Sequence, residues 1–327
     1  MMLIIRTPFR ISFFGGGTDF AEYYLKYGGC VLSTTINKFC YLSLRHLPPI
    51  FEYKNQLSYS RIERFNTPSQ IQHPLVREAL SFLPVDRIQI AYDADLPACS
   101  GIGSSSAFAV GLLQGLHVLR NETADRMTLA KEAIHLERHL CREAGGVQDQ
   151  LAAAFGGLNC MRFSERGFEV EPLDVSKERK RMLQNNLLLM FTGFTRFSGV
   201  VAQAQQSNIS NSLTQLHEMK AYVAEAESIL KNGEIDAFGR LLDQTWKLKR
   251  TLSNQISSDT IDAIYQRARK NGALGGKILG AGGGGFMLLY VPQENQPYFM
   301  RRMDDFSFVP FSFEQDGTKI IYENLKS

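Results

Sequence analysis

Tryptophan occurs once in the 327 residues, proline 11 times and cysteine five times. The cysteines (Cys30, Cys40, Cys99, Cys141, Cys160) are scattered and odd in number, with no C-x-x-C pair. That argues against a disulfide framework or a structural zinc site, and reduced, mostly buried thiols are expected. No apolar run approaches the roughly 20 residues that span a bilayer, so no transmembrane helix is expected. The opening MMLIIRTPFRISFFGGGTDF brings charge and turn residues too early for the apolar region of a signal peptide. It reads as a mature cytoplasmic N-terminus. An excess of one charge is missing too: 36 basic and 33 acidic residues leave +3, too balanced to indicate nucleic-acid binding. Only RKRM near Arg181 is locally basic, and a solvated linker is expected there.

Core-forming residues are plentiful. Hydrophobic residues make up 44% of the chain, with 22 Phe and 12 Tyr, which excludes a disordered chain. The length fits one large or two medium domains. LIIRTPFRISFF, GGC-VLSTTI, CYLSLR and IQIAYDADLP read as strands bounded by glycine or proline. Helices are expected over Ser104–Leu119, over Thr128–Cys141 and through a long region from about Leu213 to Arg250. NLLLMFTG reads as a further strand, and KILGAGGGGFMLLYV as a glycine loop entering a strand. The charged run SKERKRM, near residue 180, is the expected boundary between two packed α+β domains, 1–182 and 183–327.

The chemistry concentrates in PACSGIGSSSAFAVGLLQGLHVL, residues 97–119. Gly101 and Gly103 permit a tight turn with exposed backbone N–H groups. Ser104, Ser105 and Ser106 then open an apolar helix whose first N–H groups lack intrahelical partners and whose dipole favours an anion. Such a loop suits a nucleotide's phosphates, and a serine hydroxyl suits a magnesium ion. A plain serine N-cap on a buried helix is the competing explanation, though it needs no glycine pair. The loop is not a Walker P-loop, because Gly276-Lys277 is followed by Ile278. Gly280-x-Gly282-x-x-Gly285 matches a dinucleotide fingerprint formally, but a strand pattern follows it where a helix is required. His135 and His139 do not form H-E-x-x-H and read as ordinary helix residues. Glu137 falls on the apolar stripe of its helix with Ala133, Ile134, Leu140 and Cys141, which leaves it either paired or bound to a metal, or reaching solvent at the helix edge. Asp149, between glycines and alanines, suits either a helix N-cap or close approach by a substrate.

Three stretches in order, PFRISFFGGGTD at 8–19, P-x3-GIGSSSA at 97–107 and KILGAGGGGF at 277–286, resemble the motifs of the GHMP family of small-molecule kinases. The resemblance implies an α+β two-domain fold. Its N-terminal α/β domain would hold a left-over-right βαβ-type phosphate loop region, its C-terminal domain would be ferredoxin-like, and the active site would lie between them. Within the family, GGVQDQLAAAFGGLN, FTGFTRFS and the Trp246–Lys249 region are similar to sugar 1-kinases of the heptose 7-phosphate group, with fucokinase domains also similar. Galactokinases carry an acidic residue and a histidine where Gly16 and Gly17 stand, which implies a roomier sugar slot here.

Carried over residue by residue, the resemblance implies ATP and Mg2+ as cofactors and a small sugar or sugar phosphate as partner. It implies no nucleic acid and no membrane, and is compatible with a homodimer. It makes Asp149 the base at the anomeric hydroxyl and Arg10 the charge stabiliser at the transferred phosphoryl. Ser105 and Glu137 become the metal ligands, and Gly101, Gly103 and Ser104–Ser106 the nucleotide loop. Gly16, Gly17, Thr18, Asp19, Gly282 and Gly283 line the sugar site. A phosphate already on the sugar would need a cation, for which Arg196 and Lys277 are the candidates.

Overall fold

The computed structural model describes residues 2–195 and 198–324. Strand β1 (Met2–Phe14) pairs antiparallel with the 18-residue β2 (Gly29–His46) almost end to end, from Met2 opposite Arg45 to Phe14 opposite Leu32. GGC-VLSTTI and CYLSLR are thus one strand. The register shifts between Pro8 and Phe9, where proline has no N–H to give the ladder. Beside this pair lie β3 (Asn55–Ser58), β4 (Ile62–Phe65), β5 (Ile88–Ala94), β6 (Leu158–Ser164) and β7 (Gly167–Pro172). Their partnerships are antiparallel except the β3–β5 pair. The second sheet holds β8 (Leu187–Phe191), β9 (Gly275–Ile278), β10 (Phe286–Tyr290) and β11 (Ser307–Val309), in the order β11-β8-β10-β9. Helices 213–232, 235–250 and 259–270 share its core, where Trp246, Ile261, Met287 and Leu289 are buried together. Packing accounts for Trp246. The expected single run from 213 to 250 is two helices, broken after Asn232 by Gly233.

The charged run 177–182 is not a solvated linker. It opens helix Lys177–Asn185, capped by Ser176, whose hydroxyl accepts from Arg179 N, and anchored by the fully buried Leu183. Charge misled because Arg179 is spent on a distant part of the chain: its guanidinium donates to Leu230 O, Ile229 O and Gly233 O at the end of helix 213–232. The chain's end also departs from a simple split at 182. β12 (Phe313–Glu314) pairs with β2, and β13 (Lys319–Asn324) pairs with β1 and closes the edge of the first sheet.

Candidate active site

The glycine-serine loop is clamped between the halves. Arg10 N donates to Ile102 O at 3.0 Å and Phe286 N to Ser100 O at 3.1 Å, tying the loop to β1 and β10. Gly101 (φ +83°) and Gly103 (φ +77°) are in the left-handed region, and a Cβ on Gly101 would come within 2.4 Å of Leu279 O. Only glycine allows that approach. Helix Ser104–Leu119 starts as expected, with Ala107 N bonding to Gly103 O. The N–H groups of Ser104–Ser106 therefore have no intrahelical acceptor and form a cradle for an anion.

Glu137 faces this cradle. The expected α-helix over Thr128–Cys141 is α-helical only over Arg126–Ile134, capped by Asp125; residues His135–Leu140 form a wider π turn closed by Cys141 N to Leu136 O at 2.8 Å. Such widenings re-aim side chains at functional sites. Glu137 is 1% exposed and accepts from Ser105 Oγ at 2.8 Å, Ser106 Oγ at 2.7 Å and Gln150 Nε2. Among the described residues no basic side chain pairs with it. A buried carboxylate held only by neutral donors is short of positive charge. An all-oxygen set of one carboxylate and one hydroxyl suits Mg2+, which takes few protein ligands alongside phosphate oxygens.

Across the loop stands Asp149, in the first turn of helix Gln148–Phe155. Both its oxygens accept from Arg10, Oδ1 from Nε and Oδ2 from Nη2, each at 2.7 Å, and Arg10 Nη1 also donates to Gly101 O. The guanidinium thus fixes the carboxylate's plane relative to the phosphate loop. Asp19 is buried and accepts from Gly17 N at 2.9 Å and Gln148 N at 3.3 Å; burial raises its pKa above the ordinary carboxylate range. Gly146 has to be glycine, since a Cβ there would lie 1.8 Å from Asp19 Oδ2.

One cleft of about 770 Å³ gathers Arg10, Gly16, Gly17, Asp19, Gly101, Gly103–Ser106, Glu137, Asp149 and Lys277. Three expected residues fall outside it. Thr18 is fully buried, and its hydroxyl donates to Gly15 O and Cys30 O, so it holds the glycine turn and does not face a ligand. Gly282 and Gly283 pack on Ile256, with Gly283 N bonded to Ile256 O at 2.9 Å, and Gly280 and Ala281 are the part of that loop that reaches the cleft. Arg196 lies outside the described residues.

The sequence reading did not single out Lys249 as a site residue. It is buried in the cleft wall, and burial first, then Arg10, lowers its pKa to about 8. An apolar bay of Leu57, Tyr59, His73, Tyr92 and Phe108 was also missed. His73 Nδ1 is buried there without a partner among the described residues, and burial lowers the pKa of its ring. A neutral imidazole among flat aromatic faces suits a planar heteroaromatic ring. Ser12 Oγ and Gln148 Oε1 are further buried cleft atoms without partners among the described residues, which water or a ligand would satisfy.

The family profile described as GHMP kinases N terminal domain matches residues 71–157, and that described as GHMP kinases C terminal matches residues 226–303. D-glycero-alpha-D-manno-heptose 7-phosphate kinase of Campylobacter jejuni is 29% identical over 96% of this chain and 97% of its own. The bifunctional fucokinase/GDP-fucose pyrophosphorylase of Arabidopsis thaliana is 28% identical over 91% of this chain but only 30% of its own. Among solved structures, a D-glycero-D-manno-heptose 1-phosphate kinase from Bacteroides thetaiotaomicron superposes with a TM-score of 0.81, at 22% identity, over 99% of this chain and 100% of that one.

Proposed function

Because the chain belongs to the GHMP kinase family, and so is an enzyme of phosphoryl transfer, we propose that it moves the γ-phosphoryl of ATP to the anomeric hydroxyl of D-glycero-D-manno-heptose 7-phosphate. The product is the 1,7-bisphosphate, the form needed for nucleotide activation of the sugar. The observation that carries the reading is the single cleft in which the phosphate cradle, the Ser105–Glu137 pair and Asp149 meet. Near-full-length similarity to a heptose 7-phosphate kinase supports this choice of sugar. Gly16 and Gly17 line the cleft without side chains of their own, and Gly17 (φ +100°) has to be glycine, since a Cβ there would lie 2.8 Å from Gln205 Nε2.

In this reading the loop N–H groups and the Ser104–Ser106 turn bind the phosphates, and the aromatic bay takes the base. Ser105 and Glu137 would hold Mg2+, which neutralises phosphate charge when bound. The anomeric oxygen forms the new P–O bond as the bond to the bridging oxygen of ADP breaks. Asp149 keeps lone pairs beyond those used by Arg10 and accepts the hydroxyl proton, while Arg10 offsets charge on the transferred group. Asp19 accepts hydrogen bonds from sugar hydroxyls. Catalysis of this kind is mostly positioning and electrostatics. Cytoplasmic ATP would supply the donor.

Fucose is the second reading, favoured by 28% identity to a fucokinase over 91% of the chain. A coupled assay of ADP release over heptose 7-phosphate, heptose, fucose, mannose and mevalonate separates the possibilities. The highest kcat/KM is expected for heptose 7-phosphate. A preference for fucose would replace the heptose assignment, and no turnover on any sugar would favour a sensor built on the same fold.

A further inference from the structure

Two lysines from the second half of the chain end in the cleft with no carboxylate partner among the described residues. Lys249, near the end of helix 235–250, is 4% exposed and donates to Gly280 O, with Ile278 O at 3.5 Å. Lys277, on β9, is 2% exposed and donates to Phe13 O at 2.8 Å. An ammonium has three donors, so Lys277 keeps two unspent and Lys249 at least one. The charged groups they face are Arg10 from β1, Asp19 from the glycine turn and Asp149 from helix 148–155. Arg10 and Asp149 neutralise each other, which leaves two buried amino groups beside the single carboxyl of Asp19. Burial lowers the pKa of both lysines, and Lys249 further lowers that of Lys277. Burial thus works against their protons, and an anion bound between the two amino groups would restore them, so the pair with its unspent donors is suited to an anion.

We infer that Lys249 and Lys277 form a subsite for a phosphoryl dianion beside Asp149, on the acceptor side of the cleft. The inference rests on the kinase reading above. Two groups carry this chemistry: a phosphate ester already on the acceptor, and the phosphoryl in transit from the nucleotide. A purely structural pair, tying Gly280 and Phe13, would hold no anion.

The first measurement does not depend on which sugar is used. Inorganic phosphate is titrated against the ADP-saturated protein while Tm is followed. Wild type is expected to gain thermal stability, and Lys249→Met and Lys277→Met to lose at least about 10-fold in apparent phosphate affinity. Lys249→Arg and Lys277→Arg, which keep the charge, should retain the response, as should a Lys270→Met control on an exposed helix face. Kinetics then separate the two sources. If the acceptor's phosphate is held, Lys249→Met raises KM for heptose 7-phosphate by about 30-fold or more and shifts unphosphorylated heptose by no more than about threefold. If the phosphoryl in transit is held, kcat falls by about 100-fold or more on both acceptors with KM nearly unchanged. A phosphate response in both methionine variants equal to wild type overturns the subsite. If wild type phosphorylates neither heptose, the substrate reading fails, and the phosphate titration still judges the subsite.

Discussion

Asp149 and Lys249 show how single side chains at the site carry costs that folding alone does not explain. Asp149→Asn keeps the size of the side chain but removes a charge from the bidentate pair and leaves Arg10, 5% exposed, without its anion. The variant is expected to lose roughly 10²–10⁴ in kcat with nucleotide affinity nearly intact, because the loss falls on the acceptor proton and on alignment. Near-normal turnover would remove Asp149 from the chemistry. Lys249 gives an expectation of opposite sign. Its folded pKa of about 8 lies below the ordinary 10.5, so between these values the unfolded chain binds more protons and stability rises with pH. Below pH 8 the whole cost of burying the charge is present. That cost is ~3 kcal/mol, and losing the bond to Gly280 O returns ~1 kcal/mol of it. Lys249→Met should therefore be more stable than wild type at pH 7, by ~2 kcal/mol, and should lose the upward slope of stability above pH 8. Urea unfolding at pH 7 and 9.5 measures both, and a variant weaker than wild type at pH 7 contradicts the account.

Among the elements, the π turn 135–140 and the helix it faces decide what can be bound. The turn aims Glu137 at Ser105 and Ser106, with Gln150 closing the third side. Glu137→Ala should raise the magnesium needed for half-maximal activity by about 10-fold or more, and Ser105→Ala by less, because a neutral hydroxyl offers the cation less charge. Titration of activity against Mg2+ at saturating ATP reads this directly, and an unchanged midpoint in both variants would detach the pair from the metal. That Glu137, Ser105 and Asp149 share one cleft was legible in the sequence because each lies in a contiguous motif whose neighbours constrain it. The start and end of helix Ser104–Leu119 were legible for the same reason. The π turn was not, since the residues 135–140 have the apolar spacing of an ordinary helix. Nor was the aromatic bay, whose residues come from β3, the loop after it, the start of a helix, β5 and helix 104–119. Thr18 and Gly282 were misplaced because a motif constrains a loop as a whole and does not tell which of its residues turn inward. Helix 177–185 was hidden by its charge, since Arg179 finds its acceptors about 50 residues further along the chain.

For the whole molecule, the decisive feature is the path of the last residues. After the second sheet is complete the chain returns, with Phe313 opposite Ile36 on β2 and β13 laid along β1 from Lys319 opposite Arg6 to Asn324 opposite Met2. Thr318 seals the junction: its N–H donates to Ala153 O at 2.8 Å and its hydroxyl to Gln114 Oε1 at 2.7 Å, beside Thr7 Oγ1 at 2.9 Å. The tail therefore grips helices 104–119 and 148–155, the two that present the phosphate cradle and Asp149, and the strand that carries Arg10. A chain ending at Phe311 would keep every residue of the second sheet and every residue of the cleft. It would nonetheless expose the hydrogen-bonding edge of β1, next to the buried Leu3 and Ile5. We expect that truncation to cost at least ~3 kcal/mol in urea unfolding, to favour association in size-exclusion chromatography, and to abolish turnover although no site residue is removed. If the two halves were independent domains divided near residue 182, the loss would instead be confined to the second half. A monomeric truncated protein with wild-type Tm and wild-type kcat would show that the returning strands only decorate the first sheet, and the coupling of the chain's end to its catalytic cleft would have to be given up.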